Sequence, residues 1–213
     1  MKQSKLVKGK TNIVGVTGGV GAGKSRVLDY LEEHCNCRII FSDRVANDIK
    51  KKGYPAYDEL VDLFGKEILG EDEEIDKAKM AAAIFADENL LEKVNNILHP
   101  AVNTYIINII DEEKEWGTLD FVFVEAALLI ENGYGRIVDE MWYIYADEEV
   151  RRQRLKDSRG YSDEKIDSIM AQQLSDEEFR EHSDFVIDNG VAFELTAAQI
   201  DKKLGEWKTK WQA

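Results

Sequence analysis

A glycine-rich turn near the start of the chain constrains the fold more than any other feature of the sequence. Residues 13–25 read Ile-Val-Gly-Val-Thr-Gly-Gly-Val-Gly-Ala-Gly-Lys-Ser, an apolar run followed by the pattern G-x-x-x-x-G-K-[ST] from Gly18 to Ser25. This pattern is typical of a phosphate-binding loop that joins a strand to a helix. Glycine lets main-chain N–H groups approach phosphate oxygens without a Cβ in the way, and the helix adds the positive end of its dipole. A turn that binds nothing is the disfavoured alternative, because motif, strand and helix agree.

The loop residues are therefore candidate ligands of a nucleoside triphosphate. We expect Lys24 to reach the β- and γ-phosphates and the Ser25 hydroxyl to hold Mg²⁺. The candidate nucleotide-binding residues in this segment are Gly19, Val20, Gly21, Ala22, Gly23, Lys24, Ser25 and Arg26.

The charge of the chain limits what else it binds. With 28 basic and 42 acidic side chains, the formal net charge is −14, which argues against general nucleic-acid or membrane binding. Cys35 and Cys37 form a lone C-x-C, too few ligands for a zinc site, and we expect reduced thiols. No apolar run approaches transmembrane length, so the sequence favours a soluble, cytoplasmic protein.

Strand-like and helix-like segments alternate along the chain, which predicts an α/β fold with a doubly wound, parallel, five-stranded sheet. The predicted strands are Asn12–Val16, Arg38–Phe41, Leu119–Val124, Met141–Tyr145 and Phe185–Asp188. We expect residues 1–213 to form a single domain.

Residues 57–115 contain no good strand, and we expect a helical insertion there that binds the acceptor substrate. Pro100 predicts a helix boundary within it. Residues 150–175 are expected to form a lid. The other predicted helices are 25–34, 44–52, 148–157, one with Ile166, Ile169, Met170 and Leu174 on one face, and a last one that carries Trp207 and Trp211.

Among the proteins that use a phosphate loop, small-molecule kinases fit best. The guanine-reading N-K-x-D of GTPases is absent from the sequence, and the chain is small for an ATP-driven motor. A kinase needs a carboxylate near the acceptor hydroxyl. Asp43 follows the second predicted strand, where ligands bind in open α/β sheets, and it is our candidate base. An N-cap of the next helix is a compatible alternative for Asp43.

Other charged residues have candidate roles in phosphoryl transfer. Arg154 and Arg159 suit a lid that offsets charge on the transferred group, whereas Arg151 is expected on a solvated helix face. Glu125 directly follows a predicted strand and is a candidate Mg²⁺ partner, with Asp120, inside that strand, as the weaker one. Glu131 is a candidate to orient the acceptor or the lid.

Motifs along nearly the whole chain resemble those of the dephospho-coenzyme A (dephospho-CoA) kinase family. The matching residues are Thr17 to Ser25, Ser42-Asp43 with Ala46, Phe64-Gly65, Ile84-Phe85, Leu98-His99-Pro100, Leu128 to Glu131, Gln173, and Asp184-x-x-Ile187-x-Asn189. The resemblance implies a P-loop kinase-type sheet with a helical substrate-binding insertion and a lid.

The same resemblance implies ATP-dependent phosphorylation of the ribose 3′-hydroxyl of dephospho-CoA. It implies that Asp43 is the base, that Arg154 lies near the lid arginine and that Asn189 flanks the adenine of ATP. His99 would lie in the acceptor-binding helical domain. The departures from the family pattern are Arg26, Phe41, Lys77 and Ala127, with one extra residue of spacing around Arg154 and Arg159.

Two alternatives stay open at this point. A nucleoside or nucleotide kinase of the same fold is disfavoured for monophosphate acceptors, because no arginine occurs between Tyr57 and Glu115. An ATP-binding regulatory module without transfer activity is favoured only by Phe41 and Ala127. We expect small-molecule partners, ATP and dephospho-CoA, and a monomer.

Overall fold

The computed structural model describes residues 10–126, 128–131 and 133–209, so Ala127 and Trp211 lie outside the described residues. Its parallel sheet has the order β2-β3-β1-β4-β5. The strands are β1 (Asn12–Thr17), β2 (Cys37–Phe41), β3 (Phe121–Glu125), β4 (Glu140–Tyr145) and β5 (Phe185–Asp188). Every residue of β1 is buried, because β1 pairs in parallel with β3 on one side and with β4 on the other. The predicted fold class is confirmed.

Helices follow or separate the strands as the alternation predicts. They are α1 (Lys24–His34), α2 (Ser42–Asp48), α3 (Pro55–Phe64), α4 (Lys77–Ala86), α5 (Glu88–Trp116), α6 (Glu148–Arg159), α7 (Asp163–Met170), α8 (Asp176–Glu181) and α9 (Phe193–Thr209). Short 3₁₀ turns occur at Lys66–Ile68 and Tyr134–Arg136. No helix in the described ranges is long and apolar enough to cross a membrane.

The chain forms two compact units. One holds the described residues up to Ile39 together with those from Glu112 onward, and the other is Ile40–Asp111. In the first, Trp142 of β4 is fully buried, and the rings of Phe121 and Trp207 pack 4.6 Å apart. In the second, the core centres on Leu60, Met80 and Val94. The roles predicted for residues 57–115 and 150–175, acceptor binding and lid, stay predictions.

The predicted helix boundary at Pro100 is wrong, because α5 continues through it. Proline removes one main-chain donor and disfavours a helical residue before it. Tertiary packing outweighs that cost here, since Val94 before the proline and Ile106 and Ile110 after it are all buried.

Two further boundaries differ in the region after β4. Helix α6 extends to Arg159 instead of 157, and Gly160 closes it in a left-handed conformation with φ 61°. The face predicted to include Leu174 ends earlier, because α7 stops at Met170. The short helix α8, which we did not predict, begins at a capping box formed by Ser175 and Glu178.

Candidate active site

The loop between β1 and α1 has the backbone conformation that only glycine adopts without strain. Gly18 has φ 151°, and an added Cβ would lie 2.5 Å from the main-chain oxygen of Ile144. Gly23 has φ 87° and is the N-cap of α1, which therefore begins inside the loop. The first N–H groups of a helix lack carbonyl partners within the helix, and together with the positive end of the α1 dipole they suit this loop to bind an anion.

Lys24 marks one end of the loop. Its ammonium donates a 2.6 Å hydrogen bond to the main-chain oxygen of Gly18 and lies 3.7 Å from Oε1 of Glu125. Glu125 is the last residue of β3 and pairs in register with Val16, directly before the loop. An ammonium and a carboxylate therefore lie together at the carboxyl end of the central strands, where ligands bind in open α/β sheets.

The oxygen donors near the loop suit Mg²⁺. Ser25, exposed in the first turn of α1, offers a hydroxyl, and Glu125, half-buried beside Lys24, offers a carboxylate. These are hard oxygen donors of the kind that Mg²⁺ prefers when phosphate and water supply the rest. Within the described residues no cluster of three or more His, Cys, Asp or Glu side chains forms a separate metal cage. Ser25 and Glu125 therefore fit a Mg²⁺ ion whose remaining ligands would be phosphate and water.

Asn189 and Arg154 hold the loop from the side of β5. The buried Asn189 donates 2.7 Å from Nδ2 to the main-chain oxygen of Ala22, and its Oδ1 accepts from Thr196 at 3.1 Å. Arg154 donates from Nη2 to the main-chain oxygen of Asn189 at 2.7 Å and from Nη1 to those of Ala22 at 3.3 Å and Gly21 at 3.5 Å. Both side chains contact main-chain groups of the protein itself.

The remaining candidates lie on surfaces. Glu131 is exposed after β3, and the exposed Arg159 ends α6 with its guanidinium 5.8 Å from the ring centre of Tyr161. Arg26 lies 4.0 Å over the ring of Phe193 at the start of α9.

Asp43 and His99 belong to the second unit. His99 is exposed within α5. Asp43 is exposed in the first turn of α2, two residues after β2, and the N-cap is Phe41. The alternative reading of Asp43 as an N-cap is wrong, because α2 begins at Ser42 instead of 44. The carboxylate of Asp43 is thus left without a capping role.

Asp120, the weaker candidate for a Mg²⁺ partner, does not lie where the sequence predicted it. Asp120 precedes β3 instead of lying inside it, and its main-chain N–H donates to the oxygen of Asn36. The carboxyl ends of the strands carry the phosphate loop, whereas Asp120 lies at the opposite end of β3. It is therefore remote from the candidate Mg²⁺ donors.

Comparisons with known proteins agree over nearly the whole chain. The family model described as dephospho-CoA kinase matches residues 12–194. The chain belongs to the dephospho-CoA kinase family. A dephospho-CoA kinase of Carboxydothermus hydrogenoformans is 40% identical over 93% of this chain and 95% of that protein.

Solved structures show the same fold. A Thermus thermophilus structure matches with a TM-score of 0.74 at 24% identity, covering 92% of this chain and 98% of that one. A dephospho-CoA kinase of Campylobacter jejuni matches with a TM-score of 0.69 at 22% identity, covering 92% and 96%.

In this member of the dephospho-CoA kinase family, two residues near the loop were not assigned from the sequence. Gln173 accepts a 3.0 Å hydrogen bond at Oε1 from the N–H of Val20. Arg151, expected on a solvated face, instead has a buried Nε and lies against Gly19. Its spacing of three residues from Arg154 was the available signal, since such residues share a helix face.

Proposed function

We propose that this protein transfers the γ-phosphoryl group of ATP to the ribose 3′-hydroxyl of dephospho-CoA, giving coenzyme A and ADP. The observation that carries the proposal is membership of the dephospho-CoA kinase family over residues 12–194. This range includes the strand β1, the phosphate loop, the helical unit and the strand β5. The protein is accordingly a kinase, a transferase of coenzyme A biosynthesis.

The loop binds and orients the triphosphate. Its main-chain N–H groups and the ammonium of Lys24 neutralise the phosphates, and the positive end of α1 adds to the same field. Phosphoryl transfer needs positioning and electrostatic stabilisation more than covalent chemistry from the protein. The preformed positive-φ geometry of the loop supplies that positioning before the nucleotide arrives.

Asp43 is the proposed proton acceptor. As the acceptor oxygen attacks phosphorus, its proton passes to the Asp43 carboxylate, the new O–P bond forms and the bond from the γ-phosphorus to the bridging oxygen breaks. The electron pair of the broken bond stays on ADP. The side chain of Asp43 is exposed and does not cap α2, so its carboxylate is available for this role.

We propose that Ser25 and Glu125 would hold Mg²⁺, which would supply positive charge to offset that of the phosphates. Asn189 is proposed to flank the adenine, and Arg159 to act from the lid. His99 and Glu131 are proposed to contact the acceptor. We further propose that the protein works in the cytoplasm and as a monomer.

The direct test is turnover by the purified protein with ATP, Mg²⁺ and dephospho-CoA, followed by mass detection of coenzyme A. A panel of nucleosides and nucleoside monophosphates serves as competing acceptors. We expect turnover when dephospho-CoA is the acceptor and none with the nucleosides or nucleoside monophosphates. Turnover only on a nucleoside or its monophosphate would reassign the acceptor, and ATP binding without any transfer would support a regulatory module.

Asp43→Asn tests the proposed base. General-base catalysis contributes about 10²–10⁴-fold, so kcat should fall within that range while the affinity for ATP changes by less than about threefold. Asp58→Asn, an exposed aspartate in the first turn of α3, is the matched control and should retain activity. Equal kcat values for the two variants would exclude Asp43 as the base.

A further inference from the structure

Arg151 lies along the phosphate loop. A Cβ added to Gly19 would overlap Nη1 of Arg151, and one added to Gly21 would lie 2.8 Å from the Arg151 main-chain oxygen. The guanidinium therefore covers Gly19, while the backbone of α6 passes against Gly21. Glycine at these two positions leaves the room that the arginine occupies.

Among the residues that the structure describes, the guanidinium of Arg151 has fewer hydrogen-bond partners than the guanidinium groups of Arg152 and Arg154. Its Nε is buried and finds no hydrogen-bond partner within the described part of the chain. By contrast, Arg152 pairs with Glu148 and Asp167, and Arg154 donates to main-chain oxygens. A buried donor without an acceptor is unfavourable, so this position favours a bound group that brings acceptor oxygens.

The position of Arg151 identifies the group. Lys24, which reaches the β- and γ-phosphates in such loops, donates to the main-chain oxygen of Gly18 at 2.6 Å. Arg151 covers the next residue, Gly19. The ammonium and the guanidinium therefore contact adjacent residues of the loop, and the proposed function places the terminal phosphate of ATP beside them.

Arg154 is less suited to that contact. Its Nη1 and Nη2 both donate to main-chain oxygens, and these bonds tie α6 to the loop and to Asn189. Breaking them to reach a phosphate would release the loop that has to hold the nucleotide. The planar fork of Arg151, in contrast, matches two phosphoryl oxygens at once.

We infer that Arg151 is the catalytic arginine that contacts the transferred phosphoryl group, and that Arg154 is a positioning residue for the loop. This inference rests on the proposed function of the same site. Arg151 stays protonated throughout, while Asp43 takes the proton of the acceptor hydroxyl and ADP leaves with the bonding pair. The guanidinium of Arg151 contributes most in the transition state, when negative charge spreads over the oxygens of the transferred phosphoryl group.

The test compares Arg151→Met and Arg151→Lys with Arg152→Met, which removes a positive charge from the adjacent position. The affinities for a non-hydrolysable MgATP analogue and for MgADP are measured by calorimetry, and transfer by single-turnover kinetics. We expect Arg151→Met to lower the transfer rate by about 10²–10³-fold and to weaken the ATP analogue by about tenfold, with ADP changed by less than about threefold. Arg151→Lys should fall between, and Arg152→Met should match the wild type.

Chemical rescue separates a catalytic from a structural role. Guanidinium ion at millimolar concentration should restore part of the transfer rate of Arg151→Ala and none of that of Arg154→Ala. The inference would be overturned if the ratio of the affinities for the ATP analogue and ADP were the same in Arg151→Met as in the wild type. If that variant does not fold, the same comparison is made with Arg151→Lys.

The two proposals fail differently. A wild-type protein that cannot phosphorylate dephospho-CoA rejects the proposed function, yet the relative affinity for the ATP analogue and ADP still tests Arg151 without any acceptor. Conversely, normal turnover of dephospho-CoA by Arg151→Met rejects the role of Arg151 alone.

Discussion

Arg154 donates a hydrogen bond of 2.7 Å to the main-chain oxygen of Asn189, and the side chain of Asn189 donates one of the same length to Ala22 in the phosphate loop. Helix α6, the segment after β5 and the loop are therefore joined through a few polar groups. A loop presents its N–H groups to an anion only if its carbonyls are held facing away. Asn189 and Arg154 together hold two of those carbonyls, those of Ala22 and Gly21.

Removal of the Asn189 side chain should loosen the loop. Asn189→Ala leaves the oxygen of Ala22 without its amide donor, and Asn189→Asp places an acceptor against it, so the aspartate variant should be the worse one. We expect losses of about 1–3 kcal/mol in the free energy of unfolding and weaker ATP binding. Urea unfolding and calorimetry measure the two effects. Gln153→Ala, an exposed position on α6, is the control, and equal stability of all three variants would contradict the role of the network.

Gly18 should tolerate no side chain. With φ 151° and the oxygen of Ile144 2.5 Å from an added Cβ, Gly18→Ala is both strained and crowded. We expect about 1–3 kcal/mol of destabilisation and a loss of ATP binding. Gly205→Ala is the contrasting control, because Gly205 lies within α9 with open space around its Cβ position. That change should stabilise the protein by about 0.5–1 kcal/mol, and thermal unfolding of both variants decides the comparison.

The sheet and the loop were predictable because their signals are local. The sequence from Ile13 to Ser25 contains the strand, the glycines and the helix start in one uninterrupted segment. Pro100 misled the prediction of α5 because the local penalty of proline competes with burial of distant side chains. Burial depends on the folded core, which local patterning does not contain.

The contacts of individual arginines were not predictable for a related reason. Four arginines between 151 and 159 differ little in sequence context, yet Arg152 faces acidic partners while Arg151 faces the loop. Which face of α6 lies against the loop depends on tertiary packing, which the sequence of the helix does not contain. Gln173 lies farther along the chain, and its contact with Val20 spans 153 residues.

Cys37 should react slowly with alkylating reagents in the folded protein. Burial raises the pKa of the Cys37 thiol from 9.0 to about 12, and the negative charges of Cys35 and Glu32 add to this effect. The folded protein therefore keeps a proton that the unfolded chain releases near pH 9, so this thiol lowers stability as the pH rises from 9 towards 12. At pH 9 we expect iodoacetamide to modify Cys37 more than about tenfold faster in urea than in buffer. A Cys35→Ser background isolates the signal, and equal rates in the two solvents would contradict the burial of this thiol.

The buried side chains of Glu140 on β4 and Lys203 on α9 should depend on each other, so that loss of one partner destabilises the protein. The Lys203 ammonium lies 2.9 Å from Oε2 of Glu140, whose side chain is fully buried and also accepts from Nε1 of Trp142 at 2.9 Å. Lys203→Met removes the cation and leaves a carboxylate in the core, which should cost about 3–5 kcal/mol in the free energy of unfolding.

Glu140→Gln in the Lys203→Met protein removes the charge that the first substitution leaves behind. Since an apolar or neutral replacement of a whole buried pair is often nearly neutral, the double variant should recover most of the lost stability. Urea unfolding of the wild type, both single variants and the double variant completes the cycle. A double variant whose loss equals the sum of the two single losses would mean that the two side chains do not interact. The destabilisation would then come from packing of the lysine stem against Phe185, whose ring centre lies 5.0 Å from the ammonium.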